Sequence, residues 1–199
     1  MLQCIFKVPG HTPPYAAAGL PLVVGAAGDA LYNRLDRPLP PTVAKGTPDE
    51  RVPDLKGTLV ILGGSKGCGM VAIQLARASR MSSIVAIASA WNHQLLISLG
   101  ATQCFGYSDT DFVSKIKSVL QGTQGTIWGF DALGSVVNPM SQGILKSVTS
   151  AHDRVRLATV MLAPHEGFEI FASVRFFDIE FDVPGGTKLS VREMYKDAG

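Results

Sequence analysis

A chain of 199 residues holds one full domain, or one and a half. Its 46% hydrophobic and 17% charged content describes a globular protein with a sizeable core and excludes an intrinsically disordered one. A formal net charge of +2, with Lys and Arg scattered and no basic block, gives no case for nucleic acid or an anionic membrane surface as a partner.

Cys4, Cys68 and Cys104 are too few and too widely spaced for a disulfide framework or a metal-ligand cluster, and the four histidines are equally isolated. No metal site is expected, and a reducing compartment is. No stretch reaches the ~18 uninterrupted apolar residues of a membrane span. The apolar segment 15–27 contains Pro21 and lacks a basic leader, so it does not read as a signal peptide. The expectation is a soluble, cytoplasmic protein.

In chain order, Pro13 and Pro14 open a small-residue-rich helix over 15–35, with Pro21 marking a kink or a later start. A Pro-rich connector follows over 36–56. From residue 58 strands and helices alternate: a strand at 58–62, a helix at 68–80, a strand at 84–88. A short helix at 92–99 has Leu95, Leu96 and Leu99 on one face and ends at Gly100. A strand at 102–107 precedes a helix capped by Asp111 and closed by Gly122, with Phe112, Val113, Ile116, Val119 and Leu120 at helical spacing. A strand at 126–133, a helix at 139–149 and a strand at 155–162 complete the series. The fold class is α/β, a doubly wound parallel sheet with an amino-terminal bridging helix. Beyond 163, residues 168–171 and 174–181 are apolar enough to extend the sheet.

The stretch from Leu59 to Ala76, LVILGGSKGCGMVAIQLA, is a buried strand, a glycine turn and the start of a helix. It presents bare backbone N–H groups to a diphosphate at the positive end of a helix. Counted from Gly64, Lys66 replaces the middle glycine of G-x-G-x-x-G, and Gly69 is the last. About twenty residues after Gly69 a second apolar strand ends at Ser89, where this architecture meets the adenosine ribose. A carboxylate there would accept the ribose hydroxyl of NAD and repel a 2′-phosphate; a serine tolerates the phosphate, so the sequence leans towards NADP(H).

Other readings stay open at single residues. Lys66 either binds phosphate or is a solvated turn residue. Cys68 is either a reactive thiol at a helix start or a small apolar filler, the filler being the commoner role. Asp131 reads as a hydrogen-bond acceptor that orients a loop. Trp91 and His93 either flank the cofactor's adenosine edge or lie on the surface.

Gly63 to Ala76, then Ala88-Ser89-Ala90-Trp91-Asn92, Leu99-Gly100-Ala101, Tyr107 and Phe130-Asp131-Ala132-Leu133-Gly134-Ser135 resemble the zinc-free quinone- and enoyl-reductase branch of the medium-chain dehydrogenase/reductase superfamily. The resemblance is strongest to the fungal trans-acting enoyl reductases of polyketide biosynthesis. Phe6-Lys7-Val8-Pro9, Ala16-Ala17, Leu31-Tyr32 and Leu39-Pro40-Pro41 resemble the tail of that family's catalytic domain and its bridging helix. It implies an NADPH cofactor held by Gly64, Ser65, Lys66, Gly67, Cys68 and Gly69 around the pyrophosphate side, with Ser89 and Asn92 on the 2′-phosphate. Tyr107 would lie at the adenine end, and Leu133 and Gly134 near the nicotinamide. A threonine that the family often places near the nicotinamide aligns with Ala26.

The resemblance divides the chain into a catalytic-domain tail, bridging helix and connector (1–57), an NADP-binding domain (58–163) and a carboxyl-terminal extension (164–199). Most of the family's GroES-like domain has no counterpart here, so the resemblance names no catalytic residue. Two functions follow as expectations. One is an enoyl-reductase-type oxidoreductase of secondary metabolism, reducing a small or carrier-bound substrate, with a polyketide synthase as partner. The other is a non-catalytic NADP-binding remnant.

Overall fold

The computed structural model describes residues 10, 12–36, 55–134, 140–152, 154–160, 167–170, 180–182 and 188–190. Two short helices, α1 (Pro14–Ala18) and α2 (Leu20–Gly28), replace the single expected helix. The break falls at Gly19, and Pro21 sits in the first turn of α2, where its missing N–H costs nothing. The helix then widens into a π-helical turn, Asp29–Arg34, closed by the Leu35 N–H on Ala30 O at 2.9 Å. The Asp29 carboxylate ties this turn together, accepting from Asn33 Nδ2 at 2.6 Å and Arg34 Nε at 3.1 Å. The turn is anchored on the sheet by the buried Trp128 indole, whose N–H donates to Leu35 O at 3.1 Å.

The core of the molecule is a six-stranded parallel sheet of order β3-β2-β1-β4-β5-β6. Its strands are β1 (Leu55–Leu62), β2 (Met81–Ile87), β3 (Gln103–Phe105), β4 (Ile127–Asp131), β5 (Val155–Thr159) and β6 (Phe168–Ile170). The connecting helices are α3 (Gly67–Ala78), α4 (His93–Leu99), α5 (Phe112–Gln121) and α6 (Met140–Thr149). This strand order, with its reversal between β1 and β4, is the doubly wound arrangement expected from the alternating pattern.

Alternation along the central strands explains why both faces are covered. Leu59 and Ile61 of β1, with Ile84 and Ala86 of β2, belong to a core shared with α2, the π-helical turn and α3. Val60, Leu62, Val85 and Ile87 point to the opposite core, built with Ile116 and Leu120 of α5 and Leu145 of α6. A strand buried on both sides must be apolar at every position, and these runs are.

Several boundaries differ from expectation. The sheet begins at Leu55 and continues through β6, so it runs past both the 58 and 163 limits. Leu95 is 47% exposed and lies off the buried face of α4, which Leu96 holds. Gly100 does end α4, with φ +124°. Asp111 occupies the position before α5 without a side-chain cap; its carboxylate pairs with Lys115 Nζ at 3.0 Å instead. Of the expected strand at 174–181, residues 174–179 lie outside the described part. Glu180 and Phe181 belong to β7 (Glu180–Asp182), which pairs antiparallel with β8 (Lys188–Ser190) outside the main sheet. Among the described residues no helix is long and apolar enough to cross a membrane.

Candidate functional site: a glycine turn at the strand ends

β1 ends in the turn Gly63–Lys66, and α3 begins at Gly67. Gly63 has φ +78°, so the left-handed residue that starts the turn is Gly63 and not Gly64, from which the pattern was counted. Both N–H groups point back to the sheet, Gly63 N and Gly64 N each donating to Ile87 O at 3.0 Å. A side chain at Gly64 would meet Ala86 Cβ at 3.1 Å and Leu96 Cδ1 at 3.2 Å. Gly69 is tighter still: a Cβ there would lie 2.3 Å from Gly63 O. The last glycine therefore lets helix and strand touch, the role its place in the fingerprint requires.

The first helical hydrogen bond of α3 runs from Met70 N–H to Lys66 O at 2.8 Å. The N–H groups of Gly67, Cys68 and Gly69 precede it, as at any helix start, and form the positive end of a helix of 12 residues. Lys66 and Gly67 are exposed, Ser65 and Cys68 half-buried. A Cβ on Gly67 would meet Val23 Cγ1 at 3.0 Å, so the missing side chain makes room for α2 as well as baring the backbone. Sequence reading did not place α2 over the turn; the small residues of that helix were its only signal. Burial pushes the Cys68 thiol above its ordinary range, its own backbone N–H opposing this more weakly. That environment suits the filler role and not an activated nucleophile.

The remaining residues named from sequence gather along the same edge. Ser89 follows β2 and precedes a short 3-10 turn, Ala90–Asn92, that closes through the Asn92 N–H on Ser89 O at 2.9 Å. Tyr107 follows β3, and its hydroxyl reaches across the sheet end. It accepts from Gly63 N–H at 3.1 Å and donates to Ile87 O at 3.1 Å. Desolvation raises its pKa first; the Gly63 N–H works the other way, and the charge of Asp131 adds to the rise. The phenol thus stays protonated and locks the glycine turn to β2, while the ring remains 38% exposed. Leu133 follows β4, and a Cβ on Gly63 would meet its Cγ at 2.9 Å. Gly134 has φ +55° and packs on Val160, whose Cγ2 a Cβ would meet at 2.3 Å. The named residues therefore line the carboxyl ends of β3, β2, β1 and β4, the edge where open α/β sheets bind ligands.

Asp131 supports this edge from below. It is fully buried, and its carboxylate accepts from Ser141 Oγ at 2.9 Å, Thr159 Oγ1 at 3.0 Å and Leu133 N–H at 3.1 Å. It orients the loop that carries Leu133 and Gly134, as its place in the sequence suggested. Ala26 is buried on α2, at 3% exposure. Among the described residues no group of three His, Cys, Asp or Glu side chains gathers as a metal would need. The opposite end of the sheet holds an open cleft of about 380 Å³ around Lys56, Thr58, Ser83 and Thr123. Its hydroxyls satisfy one another, Thr58 Oγ1 lying 2.8 Å from Thr123 Oγ1 and 3.1 Å from Ser83 Oγ.

No family model matches the chain. Trans-enoyl reductase himH of Aspergillus japonicus is 41% identical over 117 residues, which cover 59% of this chain and 32% of that protein. Among solved structures, the CurK enoyl reductase superposes with a TM-score of 0.57 at 19% identity, covering 83% of this chain and 46% of its own. Galactitol-1-phosphate dehydrogenase from Escherichia coli gives 0.56 at 20%, covering 85% and 42%. The solved structures show the shared fold, and the likeness to enoyl reductases rests on the sequence relatives. The sequence relatives are fungal trans-enoyl reductases together with zinc-type alcohol dehydrogenase-like proteins. The chain spans about a third or less of the length of the curated relatives it matches.

Proposed function

We propose that this chain is the nucleotide-binding part of an NADPH-dependent oxidoreductase of enoyl-reductase type. Its substrate would be an α,β-unsaturated thioester or related carbonyl compound, free or carried on a synthase of secondary metabolism, in the cytoplasm. The observation that carries the reading is the Gly63–Gly69 turn, clamped by Tyr107 and flanked by Leu133, at the reversal point of the sheet. The residues present fit a dinucleotide: the turn is free of side chains where Gly69 meets Gly63, and the start of α3 offers N–H groups and a positive dipole end.

When bound, the dihydronicotinamide would supply the hydride. In this reading the start of α3 holds the pyrophosphate, with Lys66 exposed beside it as a point charge. Ser89 and Asn92 face the adenosine ribose, where a hydroxyl accepts a 2′-phosphate that a carboxylate would repel. Leu133 and Gly134, held by Asp131, limit water near the nicotinamide. We assign cofactor binding to the main sheet, and the clamp on the substrate to chain beyond this segment, supplied by a longer product or by a partner.

The experiment is NADPH consumption with crotonyl-pantetheine as substrate, with and without the cognate synthase. Saturable consumption supports the reading. NADPH binding without turnover, even in a longer product that carries this chain together with the substrate clamp, would contradict the reductase and leave a nucleotide-binding protein.

A further inference from the structure

We propose that Trp91 is the adenine-stacking residue of this nucleotide site and selects ligands by their base; this rests on the cofactor reading above. The indole is 90% exposed, the most open of the large apolar side chains among the described residues. Its backbone is not loose. The turn that carries it is closed by the Asn92 N–H on Ser89 O. The His93 ring then makes a 3.2 Å hydrogen bond to Ala88 O, and Leu96 is fully buried. A rigid turn therefore presents an indole to solvent at the carboxyl end of β2.

The position gives the indole its occupant. Ile87 pairs with Phe105, and the Ala88 N–H donates to Phe105 O at 3.0 Å, so β2 and β3 leave the sheet side by side. Trp91 emerges from the first exit and Tyr107 from the second. The Tyr107 hydroxyl is fixed on the glycine turn, which sets its ring at the same edge. In this topology the adenosine half of a dinucleotide lies over the end of β2. An aromatic face there stacks on a purine, which buries the apolar surface of both. Ser89, two residues earlier, opens the same short turn, so in the cofactor reading one turn meets both base and 2′-phosphate.

The test uses the two tryptophans as separate reporters. Trp128 is buried at 8% exposure with its N–H bonded, so its emission is insensitive to a ligand at the strand ends. We expect 2′,5′-ADP, which has the base and no nicotinamide, to quench the fluorescence of the wild-type chain, and nicotinamide mononucleotide to leave it unchanged. Trp91→Ala removes the quench and weakens NADPH binding about tenfold by calorimetry, the scale of one base–aromatic stack. Trp91→Phe keeps most of the affinity. Wild-type binding of NADPH that Trp91→Ala leaves intact would overturn the inference while the cofactor reading survives. Failure of the wild-type chain to bind NADPH or 2′,5′-ADP would overturn both.

Discussion

Asp131 and Tyr107 show how single side chains fix the edge that the glycine turn shares. Removing the Asp131 carboxylate takes an acceptor from the buried Ser141 and Thr159 hydroxyls and from the half-buried Leu133 N–H. Asp131→Ala is expected to cost about 3 kcal/mol in urea unfolding, since each buried unpaired donor costs about 1–3 kcal/mol. Tyr107→Phe should cost only about 1 kcal/mol, because the Gly63 N–H retains Ile87 O. Its signature is in the pH dependence. Tyr107 is raised from an ordinary value of 10.0, and Cys68 and Cys104 from 9.0, all chiefly by burial. A group whose pKa is higher folded than unfolded keeps its proton longer when folded. Stability from these groups is therefore whole below about pH 9 and declines as pH rises beyond it. Thermal melts from pH 7 to 11 should show that decline, less steep above about pH 10 in Tyr107→Phe; a melting temperature that rises across the range would contradict it. The sequence showed Asp131 as an acceptor and Tyr107 as a strand-end aromatic. It could not show that the phenol bonds the glycine turn, because that contact spans 44 positions and depends on the register of two strands.

The strand–turn–helix element was the most legible part of the chain, for a physical reason. Buried parallel strands must be apolar throughout, and a tight helix–strand contact admits only glycine. Both constraints write themselves into local sequence. Gly69→Ala places a Cβ 2.3 Å from the Gly63 carbonyl oxygen, a backbone atom that cannot swing aside. Such overpacking is expected to cost about 2 kcal/mol and to weaken NADPH binding with it, as measured by unfolding and calorimetry. Gly67→Asp should leave the fold standing, since its Cβ meets only Val23, at 3.0 Å from Cγ1, and a few tenths of an ångström of give in α2 relieves that contact, yet abolish NADPH binding by setting a negative charge against the diphosphate. Unchanged binding in that variant would mean the turn is purely structural. The amino-terminal helix was read less well. Its periodicity was visible, but the π-helical turn at Asp29–Arg34 depends on Trp128 reaching Leu35 from a distant strand and on Asp29 bonding Asn33 and Arg34. Strand ends were misjudged by a few residues because apolar side chains continue past the last pairing, as at Ala132 and Leu133.

At the scale of the molecule, the sheet order places the glycine turn, Ser89, Tyr107 and Leu133 on one edge although they are dispersed over some seventy positions of the sequence. The doubly wound class followed from alternation alone; the joint placement of these residues needed the register. The sixth strand, Phe168–Ile170, falls within the 168–171 stretch expected to extend the sheet, beyond the domain limit at 163. The central claim is that this edge is a nucleotide site with a preference for the 2′-phosphate, and calorimetric titration of the purified, folded chain with NADPH and then NADH tests it most directly. The account predicts saturable binding of NADPH at least tenfold tighter than NADH, equivalent to ~1.4 kcal/mol at the 2′-phosphate. Equal affinity would contradict the role given to Ser89, and no binding of either nucleotide would contradict the site itself.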